Sequence, residues 1–136
     1  MYAADRACVN TLEQALDLCD LLDPGHRKGE ASALGVAVDL YHVWWDPKLQ
    51  AQIARAGRER LLAFHACDWL VPTTDLLLDR GMMGDGVIDI PRIRGWVEAQ
   101  GFSGYSEVEI FSTGNWWQRE HGDVLDTCIQ RHKTAV

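Results

Sequence analysis

Three short runs of mostly apolar residues punctuate this chain, and the segments between them carry helical periodicity. The runs are ALGVAVDL at 33–40, RLLAFHAC at 60–67 and GYSEVEIF at 104–111. The first is apolar on both faces and rich in small residues, which is typical of strands in a parallel sheet covered by helices. We therefore predict one β-strand in each run.

The first two predicted helices have recognisable start signals. Asn10 and Glu13 have the spacing of a capping box, and apolar residues then recur at 12, 15, 16 and 19 until the segment 23–30 ends the helix. Asp46 followed by Pro47 is a favourable pair for the cap and the first helical position. This second helix is predicted to continue to about Ala56.

Two further helices are predicted in the second half of the chain. Pro91 begins one that Gly101 closes, and Asn115 is expected to cap the last one, which runs to about His132. The segment 68–89 has no clear period and contains turn residues, so we interpret it as a long loop with at most one helical turn. A loop of this length in a compact domain is usually functional or disordered.

The order of these elements indicates the fold class. Three strands that alternate with about four helices predict an α/β domain whose parallel strands are joined by right-handed crossovers. Residues 1–136 contain no linker or low-complexity tract, so they are expected to form a single domain.

Each predicted strand carries a polar residue near its carboxyl end. These residues are Asp39, His65 and Glu109. The carboxyl ends of parallel strands meet at one edge of a sheet or barrel, where active sites lie. Two carboxylates and an imidazole suit Mn²⁺, Mg²⁺, Co²⁺ or Zn²⁺. Taken one at a time, these residues are also compatible with a helix cap, a buried core histidine and a surface charge.

Composition and charge exclude several classes of protein. The net charge of −7 disfavours binding to nucleic acid, and no apolar run is long enough to cross a membrane. No secretion signal is visible at the N-terminus. The four cysteines are widely spaced without a C-x-x-C pair, which favours reduced thiols in a cytoplasmic protein.

Four segments together resemble the C-terminal portion of the sugar phosphate isomerase/epimerase family, which has a xylose isomerase-like TIM barrel. The segments are VAVDLYHVWWDP, LAFHACDWL, DRGMMGDGVIDIPRI and GFSGYSEVEIFS. The resemblance implies a partial TIM (β/α)8 barrel and a divalent-metal-dependent isomerase or epimerase. Such enzymes act on a sugar or sugar phosphate by proton transfer through an enediolate.

The resemblance also implies roles for individual residues. Asp39, His65 and Glu109 match three of the four metal ligands of the family, and Glu109 is also expected to be catalytic as one of its two acid/base carboxylates. His42 matches a residue that contacts the substrate oxygen. Arg80 matches an arginine that binds the substrate or steadies a metal-binding carboxylate.

Tryptophans that follow the strand ends are expected to line the substrate pocket, because indole rings stack against the C–H faces of sugars and apolar side chains line most ligand sites. Those assigned to substrate binding are Trp44, Trp45 and Trp116. Ordinary packing of loops onto the barrel is the alternative.

The family's first metal-binding glutamate has no match in this sequence, which begins just after the strand that would carry it. We therefore expect the chain to represent strands six to eight of a barrel and to have little or no turnover alone. Three alternatives remain: an inactive fragment or subunit that self-associates or needs a complementing chain at its exposed barrel edges, a metal-dependent endonuclease-like barrel acting on abasic DNA, and a non-enzymatic α/β interaction module.

Overall fold

The computed structural model describes residues 7–26 and 34–136. A three-stranded parallel sheet lies at its centre and consists of β1 (Val36–Asp39), β2 (Leu61–Ala66) and β5 (Ser106–Val108), in the order β1-β2-β5. The prediction of three parallel strands in an α/β fold is confirmed. Three strands represent part of a TIM barrel, because a closed barrel of this type has eight.

The described ranges contain five helices, and those between β1 and β2 and between β2 and β5 connect the strands of this sheet. The five helices are α1 (Leu12–Leu22), α2 (Leu40–Val43), α3 (Leu49–Arg60), α4 (Ile90–Glu98) and α5 (His121–Thr134), with a 3₁₀ turn at Trp116–Gln118. The backbone of α3 leaves the helical conformation at Gly57, which has φ +56°. The regular part of this helix thus ends where the sequence predicted, at about Ala56.

The segment predicted as a long loop contains a small antiparallel pair of strands, β3 (Asp68–Trp69) and β4 (Arg80–Gly81). The Arg80 N–H donates to the carbonyl of Phe111 at 2.9 Å, and Asp79 forms an isolated bridge with Ser112. These two contacts attach the segment 68–89 to the residues that follow β5. This attachment places Arg80 over the carboxyl end of the parallel sheet.

The core lies between the sheet and the helices, and apolar side chains from both fill it. Leu16 of α1, Ile53 of α3, Val38 of β1 and Phe64 of β2 are at most 1% exposed. Burying a side chain of this size is worth roughly 1.5–3 kcal/mol. The described residues include no helix with the length and hydrophobicity of a membrane span.

The cap of α1 differs from the prediction by one residue. Thr11, rather than Asn10, is the N-cap; its hydroxyl accepts from the Gln14 N–H at 3.3 Å and the Gln14 side chain accepts from the Thr11 N–H. Glu13 forms an ion pair with Lys48 at 2.8 Å instead. Asn10 with Glu13 and Thr11 with Gln14 both fit the capping-box pattern, and the spacing of apolar residues alone does not distinguish them.

The caps of two later helices also differ from the prediction. Asp46 accepts from the Lys48 N–H at 2.8 Å, so it stabilises the turn before α3 and is not its N-cap. Asn115 precedes the 3₁₀ turn, whereas the Glu120 carboxylate caps α5. The first residue of the predicted strand 33–40 and part of the predicted helix end at 23–30 lie outside the described residues.

Candidate metal centre

The parallel sheet brings together the three residues that the sequence placed at its strand ends. Asp39 is the last residue of β1 and is in register with His65 of β2. Glu109 directly follows β5, and its N–H donates to the Ala66 carbonyl at 3.1 Å, which continues the strand ladder. The side chains of all three therefore lie at one edge of the sheet.

The potential ligand atoms of Asp39, His65 and Glu109 all lie within 4.8 Å of one another. His65 Nδ1 is 3.9 Å from Asp39 Oδ2 and 3.6 Å from Glu109 Oε2. All three side chains are half-buried. One imidazole and two carboxylates that share a partly desolvated space can bind a divalent cation.

Arg80 supplies positive charge to this cluster. Its Nη1 lies 3.1 Å from Glu109 Oε2 and 3.7 Å from Asp39 Oδ2. The residue is only 2% exposed, and its guanidinium stacks 4.4 Å from the ring centre of Tyr41 and 4.7 Å from that of Phe111. Two aromatic rings thus hold a permanent cation beside two carboxylates.

The two carboxylates have opposite pKa shifts. Burial, followed by the hydrogen bond with Glu109, raises the pKa of Asp39 to about 6. Burial also acts to raise the pKa of Glu109, but the hydrogen bond with Asp39 and the charge of Arg80 outweigh it and lower that pKa. Two neighbouring carboxylates repel each other when both are ionised, so the pKa of one of them rises. The directions of the two shifts favour Asp39 over Glu109 as the carboxylate that holds a shared proton.

His42 lies against the same cluster. Its Nε2 is 3.5 Å from Asp39 Oδ2 and 3.3 Å from Nη2 of Arg80. An arginine can only donate, so a hydrogen bond at this contact requires the lone pair of His42 Nε2. The predicted contact of His42 with the substrate stays a prediction.

The three tryptophans assigned to substrate binding occupy different environments. Trp44 is half-buried with its ring 6.0 Å from that of Trp69, and Trp45 is 46% exposed. Trp116 is buried, and its Nε1 donates to Asp85 Oδ2 at 3.2 Å. The substrate contacts predicted for the three tryptophans stay predictions.

The structure places a third carboxylate beside His65, one to which sequence analysis assigned no role. Glu107 Oε2 lies 3.6 Å from His65 Nε2, on the other edge of the ring from Nδ1. The available signal was the spacing of Glu107 and Glu109, because residues two apart on a strand share a face.

Asp68 has a structural role in the segment above the site. Its carboxylate accepts backbone hydrogen bonds at 2.8–2.9 Å from Trp69, Gly84, Gly86 and Ile88, and the residue is 1% exposed. These bonds fold the segment 68–88 around one buried charge. Asp68 therefore helps to fix the segment that carries Arg80, although it is not one of the three potential ligands of the cluster.

Comparison with solved structures agrees with this architecture. The structure of protein SMc04130 from Sinorhizobium meliloti 1021 superimposes with a TM-score of 0.88 and 60% sequence identity, over 99% of this chain and 46% of that one. The structure of the IolI protein with a bound zinc atom gives a TM-score of 0.78 at 19% identity, over 97% of this chain and 45% of that one. This chain thus spans less than half the length of both.

A third solved structure is a fusion of a xylose isomerase-like TIM barrel with 4-hydroxyphenylpyruvate dioxygenase, with a TM-score of 0.64 at 23% identity, over 88% of this chain and 18% of that one. No curated protein matches the sequence. The family model of the xylose isomerase-like TIM barrel matches residues 1–128, which is nearly the whole chain. This chain therefore belongs to the xylose isomerase-like TIM barrel family.

Proposed function

We propose that this chain is the metal-binding C-terminal part of an isomerase or epimerase that acts on a sugar or sugar phosphate. The observation that carries the proposal is the convergence of Asp39, His65 and Glu109, whose ligand atoms lie within 4.8 Å of one another. They come from three different strand ends, so local sequence cannot explain their meeting.

The geometry of the cluster fits a divalent ion. Ligand atoms bound at about 2.0–2.2 Å to one ion are separated by roughly 3–3.5 Å. The distances from His65 Nδ1 to Glu109 and Asp39, 3.6 and 3.9 Å, are slightly longer, so small side-chain rotations suffice. Burial and the hydrogen bond with Glu109 raise the pKa of Asp39, and a divalent ion at the cluster would favour the ionised form of this carboxylate. Zinc in the IolI structure supports the same class of ion.

The protein groups around the cluster suit proton transfer next to a sugar carbonyl. When bound, a divalent ion supplies the charge that polarises such a carbonyl. Glu109 has a lowered pKa, so it is ionised at neutral pH and able to accept a proton. Arg80 holds the Glu109 carboxylate in place through its 3.1 Å hydrogen bond. Return of the proton at another face or carbon requires a second acid/base group.

The expected ligand is a small sugar. A net charge of −7 gives no electrostatic attraction to nucleic acid, which argues against the abasic-site endonuclease alternative.

We propose a cytoplasmic location on the basis of the reduced cysteines; among the described ones, Cys19 and Cys67 are buried. Three strands do not close a barrel, so we expect turnover by this chain alone to be low, with β1 and β5 as the edges open to a complementing chain.

Titration of the purified chain with Mn²⁺ and Zn²⁺ in a calorimeter tests the proposal. The wild type is expected to bind one ion, and Asp39→Ala, His65→Ala and Glu109→Ala are each expected to weaken binding at least about 100-fold, since each removes a ligand. The matched control is Glu98→Ala, which removes a carboxylate that pairs with Arg94 on α4. Wild-type affinity in all three ligand variants would contradict the proposal.

The chemical part of the proposal needs a separate measurement. Candidate ketoses and their phosphates are incubated with the metal-loaded chain in D₂O, and exchange of the proton next to the carbonyl is followed by NMR. Slow exchange that disappears in Glu109→Gln supports the catalytic assignment. Exchange that persists unchanged in this variant assigns the base elsewhere.

A further inference from the structure

Three neighbouring strands place three polar side chains in one row across the sheet. Asp39 of β1 is in register with His65 of β2, and His65 is in register with Glu107 of β5. Register partners on adjacent strands are about 4.8 Å apart and present their side chains on the same face. His65 therefore has a carboxylate neighbour on each side within the row.

The two nitrogens of the His65 ring face different carboxylates. Nδ1 faces the pair formed by Asp39 and Glu109, at 3.9 and 3.6 Å. Nε2 faces Glu107 Oε2, at 3.6 Å. A neutral imidazole carries one proton, and only the nitrogen without it can bind a metal ion. The position of that proton thus decides whether His65 can be a ligand at Nδ1.

We infer that Glu107 is a positioning residue that accepts the Nε2–H of His65 and so leaves the Nδ1 lone pair directed at Asp39 and Glu109. This inference rests on the proposed metal site. Histidine ligands commonly donate their second N–H to a carboxylate, which fixes both the tautomer and the orientation of the ring.

The contact needs only a small adjustment to become a hydrogen bond. The present 3.6 Å separation exceeds an ordinary N–H···O distance by about 0.7 Å. The Glu107 side chain is 58% exposed, so rotation about its side-chain bonds can shorten the distance without displacing the core. The same exposure means that substitutions of Glu107 are expected to leave the fold intact.

Glu107 is not expected to be a metal ligand itself. It contacts the ring edge opposite to the one that faces Asp39 and Glu109. In the described part of the chain, the group of close potential ligands contains these two acids and His65 but not Glu107.

Three substitutions separate the hydrogen bond from the charge. Glu107→Gln keeps an acceptor of the same reach without the charge, Glu107→Asp keeps the charge with a shorter reach, and Glu107→Ala removes both. Calorimetric titration of the 136-residue chain with Zn²⁺ is expected to show Glu107→Gln within about threefold of wild-type affinity. Glu107→Asp and Glu107→Ala are expected to bind Zn²⁺ about 10–100-fold more weakly than wild type.

Two outcomes of this titration would overturn the inference. Equal affinity in all four proteins would show that Glu107 does not act on the site. Wild-type affinity in Glu107→Asp with equal losses in Glu107→Gln and Glu107→Ala would show that only the negative charge of Glu107 matters.

The tautomer of His65 is a direct readout that does not require metal. In the ¹⁵N-labelled metal-free chain, at a pH above the observed titration of its ring nitrogens, His65 is expected to be protonated at Nε2. In Glu107→Ala the two tautomers are expected to mix. A proton on Nδ1 in the wild type, or an unchanged tautomer in Glu107→Ala, would refute the positioning role. If the wild type fails to bind any divalent ion, the proposed function fails, and this measurement alone decides the inference.

Discussion

Arg80 donates a hydrogen bond from Nη1 to Glu109 Oε2 at 3.1 Å, although the two residues lie 29 positions apart in the chain. Arg80 is buried, and its guanidinium lies between the rings of Tyr41 and Phe111. In this structure it is the cation nearest to the Glu109 carboxylate among the described ion pairs. The arginine therefore balances part of the negative charge that a bound metal ion is proposed to balance.

Replacement of this cation should destabilise the metal-free chain. Arg80→Met keeps much of the side-chain volume but leaves Asp39 and Glu109 without their positive partner. We expect a loss of about 3 kcal/mol in unfolding free energy, the lower end of the range for breaking a buried pair, since Glu109 is partly exposed. Denaturant unfolding measures it.

Metal should reverse part of this loss. If Arg80 and a divalent ion compensate the same carboxylates, Mn²⁺ will stabilise Arg80→Met more than it stabilises the wild type. Arg80→Lys serves as the control, because it keeps the charge while losing the planar stacking. Equal stabilisation of the wild type and Arg80→Met by Mn²⁺ would contradict the shared role.

The pKa of Asp39 predicts a pH dependence of stability. Its pKa is about 6 in the folded chain and 3.8 as the ordinary value, so between these pH values the folded state holds a proton that the unfolded state has lost. The stabilisation from Asp39 is fully present below about pH 4 and is lost as the pH rises through about 6. Asp39→Asn removes this dependence.

The measurement is the difference in unfolding free energy between the wild type and Asp39→Asn without metal. From pH 4 to pH 7 the wild type should lose stability relative to Asp39→Asn, by an amount on the order of 3 kcal/mol at most. A constant difference over this range would show that Asp39 does not hold the proton.

The buried carboxylate of Asp68 predicts a structural rather than a metal phenotype. Asp68→Ala leaves the backbone N–H groups of Gly84, Gly86 and Ile88 without their acceptor. Each hydrogen bond to a charged group is worth about 1.5–3 kcal/mol, so we expect a loss of at least about 3 kcal/mol. Limited proteolysis should cut within 70–88.

Asp75→Ala is the matched control for that substitution. The Asp75 carboxylate also accepts two backbone hydrogen bonds, from Leu77 and Leu78, but it is exposed to water. Solvent replaces these bonds, so the effect should be much smaller. Similar losses in both variants would show that burial of Asp68 is not the cause.

Two glycines predict opposite effects of the same substitution. An added Cβ at Gly86 would meet the Trp69 carbonyl and come within 2.6 Å of Asp68 Oδ1, so Gly86→Ala should destabilise the chain. Gly95 lies within α4, and an added Cβ there would have no atom within 4 Å apart from its chain neighbours and the backbone of its own helix. Gly95→Ala should therefore stabilise the helix by about 0.5–1 kcal/mol. Thermal unfolding of both variants tests the pair, and the same sign of change in both would be inconsistent with it.

Much of the fold and the cluster could be predicted from the sequence because they depend on regular patterns. Apolar runs define β1 and β2, and parallel strands bring their carboxyl ends to one edge. The positions of Asp39, His65 and Glu109 at strand ends follow from these two facts. The resemblance to a known family then supplied the role of each residue.

The remaining features depend on packing that has no local pattern. The enclosure of Arg80 by Tyr41 and Phe111 joins three separate segments. The pairing of Glu107 with His65 requires the exact register between β2 and β5, which alternation alone does not determine. The choice between Asn10 and Thr11 as the cap depends on which hydroxyl or amide reaches the free N–H groups.

The aromatic clamp on Arg80 has a consequence for metal choice. Because the two rings hold the Arg80 guanidinium in place, its positive charge repels an incoming metal ion. The site therefore binds that ion more weakly than it would without the arginine. Weak binding favours rapid exchange of the ion, and the metal that a nitrogen and oxygen site holds in the cell depends on metal availability as well as on its geometry and ligand types. We expect the ion carried by this protein to reflect cellular supply more than intrinsic preference.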